Sequence, residues 1–146
     1  MRQSIREAVC AGLPCIAECG GFMYLTEAIG SCPMAGVLPG SCFDTGKLTR
    51  FGYVTLTASK DNLLCRAGQS IPAHEFHHWD AEQPGSDFTA EKPSGRRWTC
   101  AVATDTLYAG FPHFHFYANP TFAVRFLDAC RKESCRHAGA AETHGH

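Results

Sequence analysis

Charge is scarce in this chain of 146 residues: Asp, Glu, Lys and Arg make up 18% of it, and the formal net charge is −1. That low and balanced charge, beside 45% hydrophobic residues, excludes a disordered or highly charged chain. Lys and Arg are scattered, so nucleic acid and anionic membrane are not expected partners. No apolar run approaches the ~20 residues of a membrane span. Met1-Arg2-Gln3-Ser4-Ile5-Arg6-Glu7 has no apolar core of a secretory signal. Internal repeats and a second domain are missing as well. CxxC does not occur, and Cys130 and Cys135 stand five apart without a second pair, so no metal site is expected. What the chain has in excess is cysteine. Nine is an odd number without a disulfide-framework spacing, which points to reduced thiols in a cytoplasm, most of them serving as small core residues.

Periodicity places a helix over residues 2–11, closed by Gly12 and Pro14. Pro14 to Glu18 reads as a buried strand, and Phe22, Leu25, Thr26 and Ile29 as one face of a second helix stopped by Gly30. Helix, strand, sharp turn, helix is part of a parallel α/β sheet. Residues 36–48 read as loop, Phe51–Ala58 as an alternating strand and 71–79 as another extended segment. Residues 80–96 read as a polar surface connection. Trp98–Thr104 and Leu107–Tyr117 read as strands, and Asn119-Pro120 starts a last helix. One domain spans residues 1–130. Residues 131–146 read as a polar, disordered tail, with His137, His144 and His146 in solvent. Gly40 to Leu48 resembles a phosphate loop but has one residue too many between its glycines, and Leu48 lacks the hydroxyl that reaches magnesium.

The chemistry concentrates at Ala17-Glu18-Cys19-Gly20-Gly21-Phe22. A strand ends, one residue occupies the turn and a helix begins, as in a nucleophile elbow with Cys for Ser. A helix N-terminus lowers a thiol pKa, so Cys19 is expected to be the most acidic of the nine thiols. Gly20 and Gly21 are expected to permit a strained turn, and the Gly20 N–H to form half of an oxyanion hole. A thiol nucleophile needs a base, and Gly110-Phe111-Pro112-His113-Phe114-His115-Phe116 offers His113 and His115, on one face if the run is a strand.

These segments, with Arg-Phe-Gly-Tyr at 50–53, Ala-His-Glu-Phe-His-His-Trp-Asp at 73–80 and Ala-Gly-Phe-Pro-His at 109–113, resemble a known family. It is the C-terminal class I glutamine amidotransferase domain of the cobyrinic acid a,c-diamide synthases. The resemblance implies a flavodoxin-like, mostly parallel sheet flanked by helices, here without its first strands. It implies glutamine hydrolysis through a cysteine thioester, and passage of ammonia to an ATP-activated corrin carboxylate, a carbon–nitrogen ligase reaction of cobalamin biosynthesis. Cys19 becomes the nucleophile and His113 its base. Many relatives carry Glu two residues after that histidine. Here the position is His115, a possible orienting residue, so a Cys–His dyad is carried over and no acid is assigned. Glu75, His77 and Trp79 fall near the family's cleft, with Gly20, Gly21, Glu75 and His77 as oxyanion and substrate-binding candidates.

Family members are much longer and begin with an ATP-binding portion. The chain therefore reads as a fragment, with glutamine and a corrin acid (cobyrinic or hydrogenobyrinic) as substrates. ATP and Mg²⁺ belong to the full-length enzyme, and this portion binds neither. Alone it is expected to have no ATP-dependent amidation activity and little glutaminase activity. The amidotransferase of cobyric acid synthase and an inert domain that binds only a partner or a metal are the alternatives.

Overall fold

The computed structural model describes residues 1–142, and side chains as far as residue 136. Helix α1 (Arg2–Cys10) ends in a Schellman arrangement. Gly12, at φ +94°, donates to the Val9 carbonyl at 3.0 Å and Leu13 to that of Ala8 at 3.1 Å. Chain reversal there feeds β1 (Cys15–Glu18), which pairs in parallel with β11 (Leu107–Gly110). Strand β10 (Val102–Ala103) completes this sheet on the far side of β11.

Helix α2 (Gly20–Leu25) is shorter than the sequence pattern suggested. The buried Thr26 hydroxyl donates to the Met23 carbonyl at 2.7 Å, closing the helix. Ala28–Ile29 then forms β2, paired with β3 (Cys32–Pro33) and β4 (Ser41–Asp44), and β4 pairs in turn with β7 (Trp79–Ala81). The expected loop over 36–48 thus contains a strand.

The third sheet has the order β12 (His113–Phe114), β6 (Ser70–His77), β5 (Arg50–Ala58), β8 (Phe88–Glu91), β9 (Arg97–Cys100). In β5 the alternation is as read: Val54, Leu56 and Ala58 are buried. Strand β8 lies inside the expected surface connection over 80–96, with Phe88 and Ala90 both at 0% exposure. The strand expected over Trp98–Thr104 breaks into β9 and β10 at Ala101, which sits at φ +61°. The one expected over Leu107–Tyr117 breaks at Phe111-Pro112, and Phe116–Ala118 is a 3-10 turn.

The fold is a mixed α/β arrangement. The expectation of a mostly parallel sheet is corrected: only the β1–β11 and β2–β4 ladders run parallel, and the others among the described residues are antiparallel. Strands with one wet face favour antiparallel pairing, and the connection over 59–69 forms no helix to carry a parallel crossover.

Two cores result. Phe88, Tyr108, Phe122 and Leu56 centre one, between the five-stranded sheet and α3 (Pro120–Glu142). Ala17, Phe22, Leu25 and Phe111 centre the other, under the elbow. Helix α3 continues past Arg131, where the sequence pattern had dissolved. The side chains of His137, His144 and His146 lie outside the described ones. Cysteine is spread over all environments: Cys42, Cys65 and Cys100 are buried, while Cys10, Cys32 and Cys135 are exposed. No helix among the described residues is long and apolar enough to cross a membrane.

Asn62 organises the β5–β6 connection. It is 3% exposed, and its Oδ1 accepts from Leu64 N at 2.9 Å and Cys65 N at 3.2 Å. Asn62→Ala leaves buried donors unmet and will cost about 2 kcal/mol in urea unfolding. A midpoint unchanged from the parent would show that this turn holds its shape without the side chain.

Candidate active site

The elbow is built by backbone constraint on both sides of one residue. Cys19 N donates to the Gly110 carbonyl at 2.8 Å, and Cys19 O accepts from Met23 N at 3.0 Å. Between these bonds Cys19 takes φ +49°, ψ −106°, a conformation that L-residues rarely adopt. The strain therefore sits on the cysteine itself, whereas Gly20 and Gly21 were expected to carry it and neither has a positive φ. A Cβ on Gly20 would meet nothing within 4 Å, so the space beside the thiol is open. β11 is locked behind the elbow by close packing: a Cβ on Gly110 would stand 2.7 Å from Ala101 Cβ.

Burial raises the Cys19 thiol above its ordinary value, and the neighbouring Glu18 charge adds to that, while the Gly20 backbone N–H opposes it. The depressed thiol expected from a helix N-terminus is thus not found. Helix α2 has only six residues, too short for a strong dipole, and partial burial outweighs it. The more deeply buried Cys100 is pushed up to about 12, chiefly by the same desolvation.

His113 stands at the start of β12, with its side chain 45% exposed, and its Nδ1 lies 3.2 Å from Glu18 Oε2. The other Glu18 oxygen accepts from Phe114 N at 2.9 Å. One carboxylate thus ties the residue preceding Cys19 to the histidine strand. The parallel register explains how: Glu18 lies opposite Gly110, three residues before His113. Glu18 was the residue that the sequence reading missed. Its only signal was a carboxylate ending an otherwise apolar strand, directly before the nucleophile. Among the described residues no hydrogen bond joins Cys19 Sγ to His113. With Nδ1–H donated to Glu18, however, Nε2 is free to accept a proton.

The remaining candidates fall elsewhere. His115 is exposed and opens the 3-10 turn, with its ring 6.3 Å from that of Tyr117. The shared face expected for His113 and His115 is lost because β12 ends at Phe114. Glu75 and His77 are 1% and 5% exposed, inside the protein rather than on an open wall. His77 Nδ1 lies 2.6 Å from the Trp79 carbonyl and its ring stacks on Phe111 at 4.0 Å. Its Nε2 is 3.8 Å from Glu75 Oε1. Since Phe111 also packs edge-on against Phe22 of α2, the pair lies under the elbow's support.

The model of the CobB/CobQ-like glutamine amidotransferase domain matches residues 1–121. The chain belongs to this family. Curated relatives agree. A cobyrinate a,c-diamide synthase of Caldanaerobacter subterraneus subsp. tengcongensis is 36% identical over 138 residues, 89% of this chain and 30% of the relative. Those of Fusobacterium nucleatum and Listeria monocytogenes are 36% and 35% identical, over 84% and 90% of this chain. The chain spans roughly three-tenths of the length of these relatives, from 28% to 31%.

Proposed function

We propose that this chain is the glutaminase portion of an ATP-dependent cobyrinate a,c-diamide synthase, acting in the cytoplasm and supplying ammonia for amidation of corrin carboxylates. The observation that carries the reading is the strained Cys19 at the β1–α2 junction, with the carboxylate of the residue before it, Glu18, 3.2 Å from His113 Nδ1. In the proposed step His113 Nε2 takes the Cys19 proton, and the thiolate attacks the glutamine carboxamide carbon. Gly20 N–H donates to the developing oxyanion. The His113 proton passes to the leaving nitrogen, which departs as ammonia. Water, deprotonated by the same imidazole, cleaves the thioester to glutamate and restores the thiol.

Glu18, rather than His115, takes the orienting role in this scheme. Glu75 and His77, being buried, act on the support beneath the elbow and not on substrate. The flavodoxin-like part of the family architecture is proposed around the parallel β1–β11 pair. β1 has no second strand neighbour among the described residues, which leaves an edge for further parallel strands. ATP and Mg²⁺ are assigned to the rest of the synthase. The Gly40–Leu48 stretch does not fit a nucleotide phosphate, since Ser41–Asp44 is committed to β4.

Intact-mass measurement after treatment with a diazoketone analogue of glutamine tests the reading. A single adduct mapping to Cys19 is expected. Folded protein that takes up no adduct, or takes it first at exposed Cys10, Cys32 or Cys135, would remove Cys19 as the nucleophile.

A further inference from the structure

We propose that a cleft of about 220 Å³ between β5 and the β8–β9 hairpin is a binding site for an organic carboxylate, separate from the Cys19 site. Arg50, Lys92 and Arg96 line it with Trp98, Phe51 and Leu48, and no acidic residue does.

The hairpin turn gathers the charges. Lys92 N donates to the Arg96 carbonyl at 2.9 Å and Gly95 N to that of Lys92 at 2.8 Å, with Gly95 at φ +83°. Lys92 and Arg96 therefore face each other across a tight turn. The hairpin's own acid does not serve them, because both Glu91 oxygens lie 2.9 Å from Arg97 Nη2. Lys92 Nζ instead donates to the Phe51 carbonyl at 2.7 Å. From the neighbouring strand, the Arg50 guanidinium carbon lies 4.5 Å from the Trp98 ring centroid, and that of Arg96 lies 5.9 Å from it. Two guanidinium groups share one indole, and none of the three cations has a carboxylate partner among the described residues. The Trp98 Nε1–H is buried and has no acceptor either.

Like charges brought together without an acid repel one another, and an anion between them reverses the sign of that interaction. Guanidinium forks match a carboxylate in a bidentate manner. Leu48 and Phe51, 44% and 56% exposed, give the wall an apolar side that a bare inorganic ion does not use. An anionic group attached to a carbon skeleton uses both features. The cleft is a compact pocket and not a basic stripe, so a polyanionic strand is a poor fit.

The chain has two tryptophans, Trp79 and Trp98, so its indole N–H resonances form a two-signal reporter. Tricarballylate, titrated into the full chain at constant ionic strength, should move the Trp98 resonance saturably and leave that of Trp79 in place. Arg96→Gln and Lys92→Gln should each weaken binding about tenfold or more, with the Trp79 signal certifying the fold. Inorganic phosphate should bind about tenfold more weakly than tricarballylate or worse, lacking the apolar contact. Absence of saturation, affinity unchanged in Arg96→Gln and Lys92→Gln, or phosphate binding as tightly as tricarballylate would each overturn the proposal. Labelling of Cys19 in Arg96→Gln should match the parent, so failure here is distinguishable from failure of the glutaminase reading.

Discussion

Cys19→Gly will melt at a higher temperature than Cys19→Ala, and neither will take an adduct from a glutamine analogue. The comparison isolates the backbone, since both variants lose the thiol and its packing against the core beneath the elbow. In an ordinary element glycine is less stable than alanine by about 0.5–1 kcal/mol, through the entropy of the unfolded chain. At φ +49°, ψ −106° the order reverses, because strain of roughly 1–3 kcal/mol burdens any residue with a Cβ. A net advantage of about 1 kcal/mol for glycine corresponds to ~3 °C in a chain of this size. Differential scanning calorimetry of the two variants measures it. Alanine equal to or above glycine would mean that the elbow is relaxed and that its geometry is not held against a cost.

The strain has a use in the proposed chemistry. Donation from Cys19 N to Gly110 and acceptance by Cys19 O from Met23 leave the backbone no freedom to relax. The side chain is thereby fixed in direction at the junction, half-buried and next to the open space over Gly20. A nucleophile held in one orientation loses little entropy on meeting its substrate.

The parts of this arrangement readable in the sequence are those encoded locally. The apolar run before Cys19 and the two glycines after it announce the elbow, and the alternation in β5 announces a one-faced strand. Asn119-Pro120 marks the start of α3, although the Asn119 side chain donates to the Ser70 carbonyl at 3.0 Å and so also ties the helix to β6. What escaped is set by tertiary context. β8 contributes only Phe88 and Ala90 to the core, between Pro84-Gly85 and Pro93, and a strand so short has no periodicity to detect. The break at Ala101 is imposed by crowding against Gly85 and Gly110, far apart in sequence. A Cβ on Gly85 would lie 2.2 Å from the Ala101 backbone. The pairing of Glu18 with His113 spans a sequence separation of 95 and depends on the β1–β11 register, which no local pattern carries. The raised Cys19 thiol was missed for a related reason: desolvation depends on what packs around the sulfur.

Glu18→Gln will slow modification of Cys19 by a glutamine analogue by about 10²–10⁴, the range expected when the carboxylate orienting a catalytic imidazole is lost. The amide has nearly the shape of the carboxylate, but its two ends differ. Phe114 N is a fixed donor, so the glutamine oxygen must take over the contact that Glu18 Oε1 makes at 2.9 Å. That leaves the NH₂ group facing His113 Nδ1. Two N–H groups cannot face each other, so His113 must move its proton to Nε2 and accept at Nδ1. The nitrogen required to deprotonate Cys19 is then occupied. Because the backbone contact survives, the melting temperature should stay within a few degrees of the parent. Imidazole ¹⁵N shifts give a readout that a purely structural defect would not produce: the His113 proton moves from Nδ1 to Nε2. Glu18→Asp, one methylene shorter, keeps two acceptor oxygens and should recover part of the rate with the parent tautomer. If Glu18→Gln reacts as fast as the parent, or if its tautomer is unchanged, Glu18 supports β12 alone, and the tautomer of His113 is set by some other group.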